Sequence, residues 1–281
     1  MSGILVTGSG GMLGLDVLRA AEARGVEANG LTRAQLDIAD AVQVTEAIAS
    51  HQPDVIINCA AWTDVDGAEE HEAEALVVNG EGPRVLAEAG PRVIQVSTDY
   101  VFDGEKDGPW VESDPVGPKS AYGRTKLVGE QNVLAANPAN SVVRTAWLFG
   151  ISGNNFVETM IKLATDRGAV SVVDDQRGCP TNTAHLAEAL IDIALDDNAG
   201  GIHHCAGAGE TTWYGFAKEI FERTNTPCDL TPTTSDAFVR PAPRPANSVL
   251  AVTRDDTPRL PEWQQGLDDY ISLRMTTGGQ E

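Results

Sequence analysis

The sequence predicts an α/β fold: a doubly wound parallel sheet followed by a smaller, partly interleaved C-terminal lobe. Three observations carry this prediction. Short, uninterrupted Val/Ile runs recur through the first half and alternate with helix-like segments. The first run ends in a cluster of glycines that opens a helix. The pattern then loosens after about Gly150. Continuous apolar runs suit parallel strands buried on both faces, and right-handed crossovers wind such strands into one sheet.

The elements follow in order. Ile4 to Thr7 is an apolar run, and Met12 to Arg24 has helical periodicity. Asp54 to Asn58, preceded by Pro53, is the next short run; Arg92 to Ser97 and Ser141 to Arg144 follow it. Beyond Gly150 a helix is expected over Asn155 to Arg167, a strand at Ser171-Val172-Val173 and a second helix over Thr183 to Asp196. Thr226 to Pro261 is rich in Pro and Thr and reads as loop. The tail after Met275 is expected to fray. Residues 1–150 thus form the first domain, segment 170–203 returns to it, and 151–281 make mainly the second lobe.

A chain of 281 residues is long enough to bury a substantial core. The formal net charge of -21 repels a phosphate backbone, which argues against a nucleic-acid partner. An anionic ligand would therefore need a local cationic pocket. No apolar run reaches the ~18 residues of a membrane span. The N-terminus lacks the basic region and cleavage site of a signal peptide and reads as a strand. Cys59, Cys179, Cys205 and Cys228 are scattered, with no C-x-x-C pair and no zinc-ligand spacing. Reduced thiols in a cytoplasmic protein are the expectation.

Gly8-Ser9-Gly10-Gly11-Met12-Leu13-Gly14 is the sharpest local signal. Gly8, Gly11 and Gly14 make G-x-x-G-x-x-G between a strand and a helix. A tight turn without Cβ atoms lets the backbone approach a pyrophosphate, and the helix N-terminus supplies N–H groups and positive dipole. This is a Rossmann-type dinucleotide turn. At the end of the second strand, Leu31-Thr32-Arg33 offers no acid for an adenosine ribose. Arg33 suits a 2′-phosphate instead, which favours NADPH over NADH. Asp37-Ile38 is placed to touch the adenine, although an Asp there is also an ordinary turn residue.

Tyr122-Gly123-Arg124-Thr125-Lys126 is Y-x-x-x-K, which puts a phenol and an ammonium on one helix face. A nearby cation stabilises the phenolate and lowers its pKa, making Tyr122 a usable general acid. Alone, the pattern also describes a surface helix pair. It is preceded by Ser97-Thr98-Asp99-Tyr100-Val101-Phe102-Asp103-Gly104 at the carboxyl end of a predicted strand, where open α/β sheets bind ligands. Thr98, ahead of Ser97, is the hydroxyl expected to bond a substrate carbonyl. Glycine turn, strand-end hydroxyl and Tyr/Lys pair together point to hydride transfer to a carbonyl.

With these segments the sequence resembles the extended short-chain dehydrogenases/reductases, and within them the dTDP-4-dehydrorhamnose reductase family, over Ile4 to Leu273. Further matching segments are Pro53 to Asp66, Val78-Asn79, Arg144-Thr145-Ala146-Trp147-Leu148-Phe149-Gly150, Gly153 to Phe156, Asp175-Gln176, Pro180-Thr181, Arg244-Pro245 and Asn247-Ser248. The resemblance implies reduction of dTDP-4-dehydro-L-rhamnose to dTDP-L-rhamnose with NADPH or NADH. It implies Thr98, Tyr122 and Lys126 as catalytic residues, with Lys126 also holding the nicotinamide ribose. Gly11-Met12-Leu13, Asp37-Ile38, Ala61-Trp62-Thr63 and Val96 match cofactor contacts. Thr98-Asp99 and Trp147 match substrate contacts, with Trp147 stacking on the sugar. Asn155, Arg240 and Arg244 are expected at the nucleotide pocket, the two arginines on the diphosphate; surface charge between prolines is their alternative. Some members hold magnesium at a homodimer interface. Asp16 matches one ligand position, but Ala184 stands where a carboxylate would be needed and His185 reads as packed, so neither the metal nor that particular homodimer is expected. Cys59, where the family usually has alanine, reads as a small buried substitution. Another nucleotide-sugar 4-ketoreductase or epimerase, or a non-catalytic subunit like that of methionine adenosyltransferase, shares these motifs.

Overall fold

The computed structural model describes residues 3–277. Six parallel strands form the main sheet: β1 (Ile4–Thr7), β2 (Ala28–Leu31), β3 (Val55–Asn58), β4 (Arg92–Thr98), β5 (Ser141–Thr145) and, after four strands that pair elsewhere, β10 (Gly201–His204). Their order is β10-β5-β4-β3-β1-β2. The chain leaves β1 in one direction to form β2 and then crosses to β3, β4, β5 and β10 on the other side. The switch between β1 and β3 opens a crevice at the carboxyl strand ends, where such sheets bind ligands.

The strand sequences explain this layer. Every residue of β1, β3 and β5 is buried, as a sheet covered on both faces requires. On one face α1 (Met12–Ala23) packs against α8 (Thr183–Leu195), with Val17, Ala20 and Ala21 meeting Leu186, Leu190 and Ala194. Alanines at the contact let these helices approach closely. On the other face α2 (Ala41–His51), α5 (Gly82–Glu88) and α6 (Ala121–Ala136) bring Val44, Leu86 and Val133 onto Leu5, Ile56 and Val93. Between β3 and α5 lie the short helices α3 (Gly67–Glu70) and α4 (Glu72–Leu76) and one π-helical turn, Val77–Glu81.

The second lobe has its own core of Phe149, Val157, Met160, Phe216, Ile220, Trp263, Leu267 and Tyr270. These come from β6 (Leu148–Phe149), α7 (Phe156–Arg167), α9 (Trp213–Thr224) and α10 (Trp263–Thr277). Two sequence expectations change here. The strand at Ser171 to Val173 belongs to β7 (Ala169–Val173), which pairs in parallel with β12 (Asp229–Thr233) and not with the main sheet. Thr226 to Pro261 is therefore not all loop, because β12 lies in it. The remaining short pairs are β6 with β9 (Thr181–Asn182) and β8 (Arg177–Gly178) with β11 (Thr211–Thr212). At the C-terminus Thr276 and Thr277 close α10, and the rest of the tail expected to fray, 278–281, lies outside the described residues.

Candidate active site

A cleft of about 1230 Å³ runs along the carboxyl ends of the central strands. The glycine turn forms its floor. Gly8 has φ +66°, and a Cβ there would lie 2.6 Å from the Ala60 nitrogen. A Cβ on Gly14 would lie 2.6 Å from the Gly8 carbonyl. Only glycine permits this closeness of strand, turn and helix. Gly11 is the N-cap of α1, with no capping side chain and no acid in the first turn, so the N–H groups of this helix end and its positive dipole are left for an anion. Met12, Leu13, Arg33, Asp37 and Ile38 also line the cleft. Arg33 is exposed and makes no ion pair among the described residues. The Asp37 carboxylate accepts the Ala39 N–H at 3.0 Å, which gives it a turn role beside its place in the wall.

The opposite wall is Ala60-Ala61-Trp62-Thr63, leaving β3. Asn79 fixes this loop from the π-helical turn: its side chain accepts the Trp62 N–H at 2.8 Å and donates to Thr125 in α6 at 3.2 Å. An extra residue in a helical turn re-aims one side chain, a common device beside functional sites. Beneath the cleft, Thr7 donates to Asn58 at 2.6 Å and Asn58 to Gln95 at 2.7 Å, a buried ladder linking the ends of β1, β3 and β4.

Ser120 caps α6 by accepting the Gly123 N–H at 3.1 Å, which sets Tyr122 in the first turn and Lys126 one turn later. The Lys126 ammonium is 4% exposed and donates to the Val96 carbonyl at 2.6 Å. Burial lowers its pKa to about 8, with Glu130 opposing. Burial likewise pushes the Tyr122 phenol up to about 12, with the Thr98 hydroxyl bonded to it pulling down and Asp99 adding to the rise. The sequence-based expectation that Lys126 depresses Tyr122 is corrected here: the ammonium is directed to Val96, and burial dominates. The phenol therefore holds its proton at neutral pH, and proton donation from it becomes easier only as a ligand and its charges change these surroundings. Thr98, 6% exposed, donates to Asp99 at 2.9 Å. Asp99 is pushed up to about 6 by burial, against hydroxyls of Ser248 and Thr98. Tyr100 meets Tyr122 edge-on, with ring centroids 5.6 Å apart.

The site residues of the second lobe fall differently. Trp147 lines the cleft with a left-handed backbone, φ +48°, and its indole is stacked on Trp213 at 3.6 Å. The face expected to receive a sugar is covered by a second indole. Asn155 is buried and absent from the cleft lining, which is a correction. Its Oδ1 caps α7 through the Glu158 N–H at 3.2 Å and its Nδ2 donates to the Gly150 carbonyl at 2.9 Å, so the whole amide is used in holding the helix; neighbouring Asn154 lines the cleft instead. Arg240 and Arg244 also lie outside this lining, and both pair with Asp66, at 3.2 and 3.0 Å. Arg244 borders a small adjoining pocket with Tyr100, Lys119 and Ser120.

Sequence reasoning missed Trp213, ranked Ser97 behind Thr98, and gave Thr145 no role of its own. Trp213 carries no motif and is brought to the cleft by the lobe packing. Ser97 and Thr145 have buried hydroxyls with no hydrogen-bond partner, and both line the cleft beside Lys126. Unsatisfied buried hydroxyls at a strand end are the mark of a polar ligand. Asp16, the residue at a metal-ligand position, is occupied by Arg19 at 2.7 Å and Thr183 at 2.5 Å, and His185 by Asp269 at 2.9 Å. Among the described residues no group of three His, Cys, Asp or Glu is arranged to hold a metal. The four cysteines are free.

Known proteins share this arrangement. Residues 1–275 match the family described as RmlD substrate binding domain. A dTDP-4-dehydrorhamnose reductase of Streptomyces griseus is 47% identical over 260 residues, covering 89% of this chain and 86% of the relative. A probable dTDP-4,6-dihydroxy-2-methyloxan-3-one 4-ketoreductase of Streptomyces antibioticus is 46% identical over 89% of this chain and 87% of the relative. The crystal structure of dTDP-4-dehydrorhamnose reductase from Bacillus anthracis in complex with NADP superposes with a TM-score of 0.93 at 33% identity, over 97% of this chain and 99% of the other. With the glycine turn, Thr98, Tyr122 and Lys126 gathered in one cleft and the match running through both lobes, the chain belongs to the RmlD family, that of the dTDP-4-dehydrorhamnose reductases.

Proposed function

We propose that this chain reduces the 4-keto group of dTDP-4-dehydro-L-rhamnose to the alcohol of dTDP-L-rhamnose, using NADPH. The observation that carries the reading is Tyr122 bonded to the Thr98 hydroxyl at the end of a cleft built for a dinucleotide. The residues fit the cofactor: a Cβ would fill the cradle at Gly8 and Gly14, and the hydroxyls of Ser97 and Thr145 are buried without partners beside it. NADPH supplies the hydride when bound. Gly8 to Gly14 would hold its pyrophosphate, Arg33 the 2′-phosphate, Ala61 to Thr63 and Val96 the wall around it, and Lys126 the nicotinamide ribose.

Thr98 turns its hydroxyl from Asp99 to donate a hydrogen bond to the keto oxygen and fixes it against Tyr122. Tyr122 gives its phenolic proton to that oxygen, so the carbonyl becomes an alcohol; bound NADPH would supply the hydride and be oxidised to NADP+. The resulting phenolate sits one helical turn from the Lys126 ammonium and regains a proton from solvent.

In this reading residues 1–150 with the returning segment 170–203 serve the cofactor, and 151–281 serve mainly the nucleotide sugar. The net charge of -21 supports an absence of nucleic-acid partners, and no described helix is long and apolar enough to cross a membrane. We place the protein in the cytoplasm. A homodimer, if formed, does not use Asp16 as a metal ligand, because Arg19 and Thr183 take its carboxylate.

The test follows NADPH oxidation with enzymatically generated dTDP-4-dehydro-L-rhamnose, with Tyr122→Phe alongside. Turnover lost in Tyr122→Phe supports substrate and proton donor together. A folded, cofactor-binding protein with no turnover would sink this substrate. A second reading, another dTDP-4-keto sugar, draws support from the Streptomyces antibioticus relative at nearly equal identity, and the same assay with other 4-keto sugars separates the two.

A further inference from the structure

Asp66 stands where the two halves of the site meet. It follows Val65, the last cleft-lining residue of the loop that leaves β3. Its carboxylate reaches across to the strap that carries Arg240 and Arg244. One oxygen accepts the Ala242 N–H at 3.2 Å; the other takes Arg240 at 3.2 Å and Arg244 at 3.0 Å. Ala242 is buried beneath this contact, and the Asp66 and Arg244 side chains are 23% and 20% exposed. Burial pushes the Asp66 carboxyl up, but the Ala242 N–H and the two guanidinium groups more than offset it and hold it below the usual carboxylate range. Arg244 also donates to the Ala242 carbonyl at 3.1 Å, so two contacts fix its head, and among the described residues its other N–H donors have no partner.

The placement gives the contact a purpose. Arg244 lines the small pocket with Tyr100, Lys119 and Ser120, and Tyr100 lines the main cleft as well. One aromatic ring therefore separates Arg244 from Tyr122, against which Tyr100 is packed. The charged groups around the pocket are Arg244, Arg240 and Lys119, with Asp66, Asp103 and the Glu105 partner of Lys119 opposing. Three cations and three anions balance there, so in a chain of net charge -21 this is a locally neutral patch beside the reacting end of the cleft, where an anion meets less repulsion than elsewhere on the surface. A floppy arginine would lose side-chain freedom on gripping a phosphate, and a partner that orders it beforehand removes that cost.

We infer that Asp66 is a positioning residue for the diphosphate of the nucleotide sugar, holding the Arg240–Arg244 strap so that Arg244 faces the ligand before it arrives. The inference rests on the nucleotide-sugar reading above. It assigns Asp66 no contact with the reacting atoms. It also makes the loop that lines the cofactor cleft and the strap that grips the diphosphate parts of one clamp.

The experiment is calorimetric titration of the full chain with dTDP and with thymidine, which has no diphosphate, with NADPH binding and thermal midpoint as controls. Asp66→Asn keeps an acceptor for the Ala242 N–H and removes the charge. It is expected to weaken dTDP about tenfold and leave thymidine and NADPH unchanged. Added to Arg244→Ala, it should cause no further loss, because the two act through one contact. Asp66→Glu, the charge-preserving variant, should retain dTDP affinity. Unchanged or tighter dTDP binding in a folded Asp66→Asn, with Arg244→Ala weakened, overturns the inference and leaves the arginine–diphosphate contact standing. Arg244→Ala binding dTDP like the wild type removes that contact and the inference with it. Equal weakening of thymidine would reduce Asp66 to a structural clasp and overturn its positioning role.

Discussion

The indole of Trp147 lies flat on that of Trp213, with ring centroids 3.6 Å apart and planes within 6° of parallel. Trp147 comes from the loop after β5 and Trp213 from the first residue of α9, so the stack joins the two lobes across the cleft. Trp213 is held in turn by Phe156 at 4.5 Å and by its own N–H to Gln176 at 3.2 Å. Trp147 adopts a left-handed backbone that an aromatic residue rarely takes, and strain of this kind persists only where the surroundings impose it.

Trp213→Ala is expected to uncover Trp147 and loosen the sugar end of the cleft. Loss of the stack should cost about 1 kcal/mol or more of stability and raise KM for the keto sugar roughly tenfold, one pocket contact's worth. NADPH affinity should not change. Steady-state kinetics with a parallel NADPH titration checks this; an unchanged KM would remove Trp213 from the sugar wall.

Lys126 sets an alkaline limit. Burial holds its pKa at about 8, so the ammonium that would bind the nicotinamide ribose is present below that pH and is lost as pH rises through it. The profile of kcat/KM should therefore fall above about pH 8. Lys126→Arg, which stays charged, should move the fall to higher pH while lowering the plateau. A wild-type profile flat to pH 10 would contradict this.

Asp99 gives a pH-dependent stability of the opposite kind from an ordinary salt-bridged carboxylate. Its folded pKa is about 6, above the unfolded value of 3.8, because burial disfavours the charge. The folded state thus binds the proton more tightly, and stability rises as pH falls from 6 toward 4. Asp99→Asn cannot ionise. It should be more stable than the wild type at pH 7.5, by on the order of 2 kcal/mol, with the gap closing near pH 4. Denaturant midpoints at the two pH values test it, and a gap that does not change with pH would rule out ionisation as its cause.

Arg33, if it holds a 2′-phosphate, would discriminate between the two nicotinamide cofactors. It is exposed at the cleft wall and free of ion pairs among the described residues. Arg33→Ala should raise KM for NADPH about tenfold, a typical loss for one charge-assisted phosphate contact, and leave KM for NADH nearly unchanged. Equal losses with both cofactors would place Arg33 away from the 2′-phosphate.

The sequence by itself determined the central strands of the sheet, the glycine turn and the placing of Tyr122 and Lys126 on one helix face; the edge strand β10 has no apolar run to announce it. The Val/Ile runs could only be strands covered on both faces, Gly8 and Gly14 could only be glycines where backbones pass at contact distance, and Tyr122 and Lys126 share a face because a helix turns every 3.6 residues. Such properties are local, and local periodicity and sterics encode them. Tertiary structure decided the rest. Asn155 became a helix cap because its neighbours offered a free N–H and a carbonyl, and β7 found its partner 60 residues away in β12. Trp213 met Trp147, and Asp66 met Arg240 and Arg244, across gaps of 66 residues and more than 170. Burial raises the pKa of the Tyr122 phenol, where sequence spacing alone suggested that its lysine lowers it. Burial and long-range pairing depend on which surfaces the whole chain brings together, and no window of sequence contains that sum.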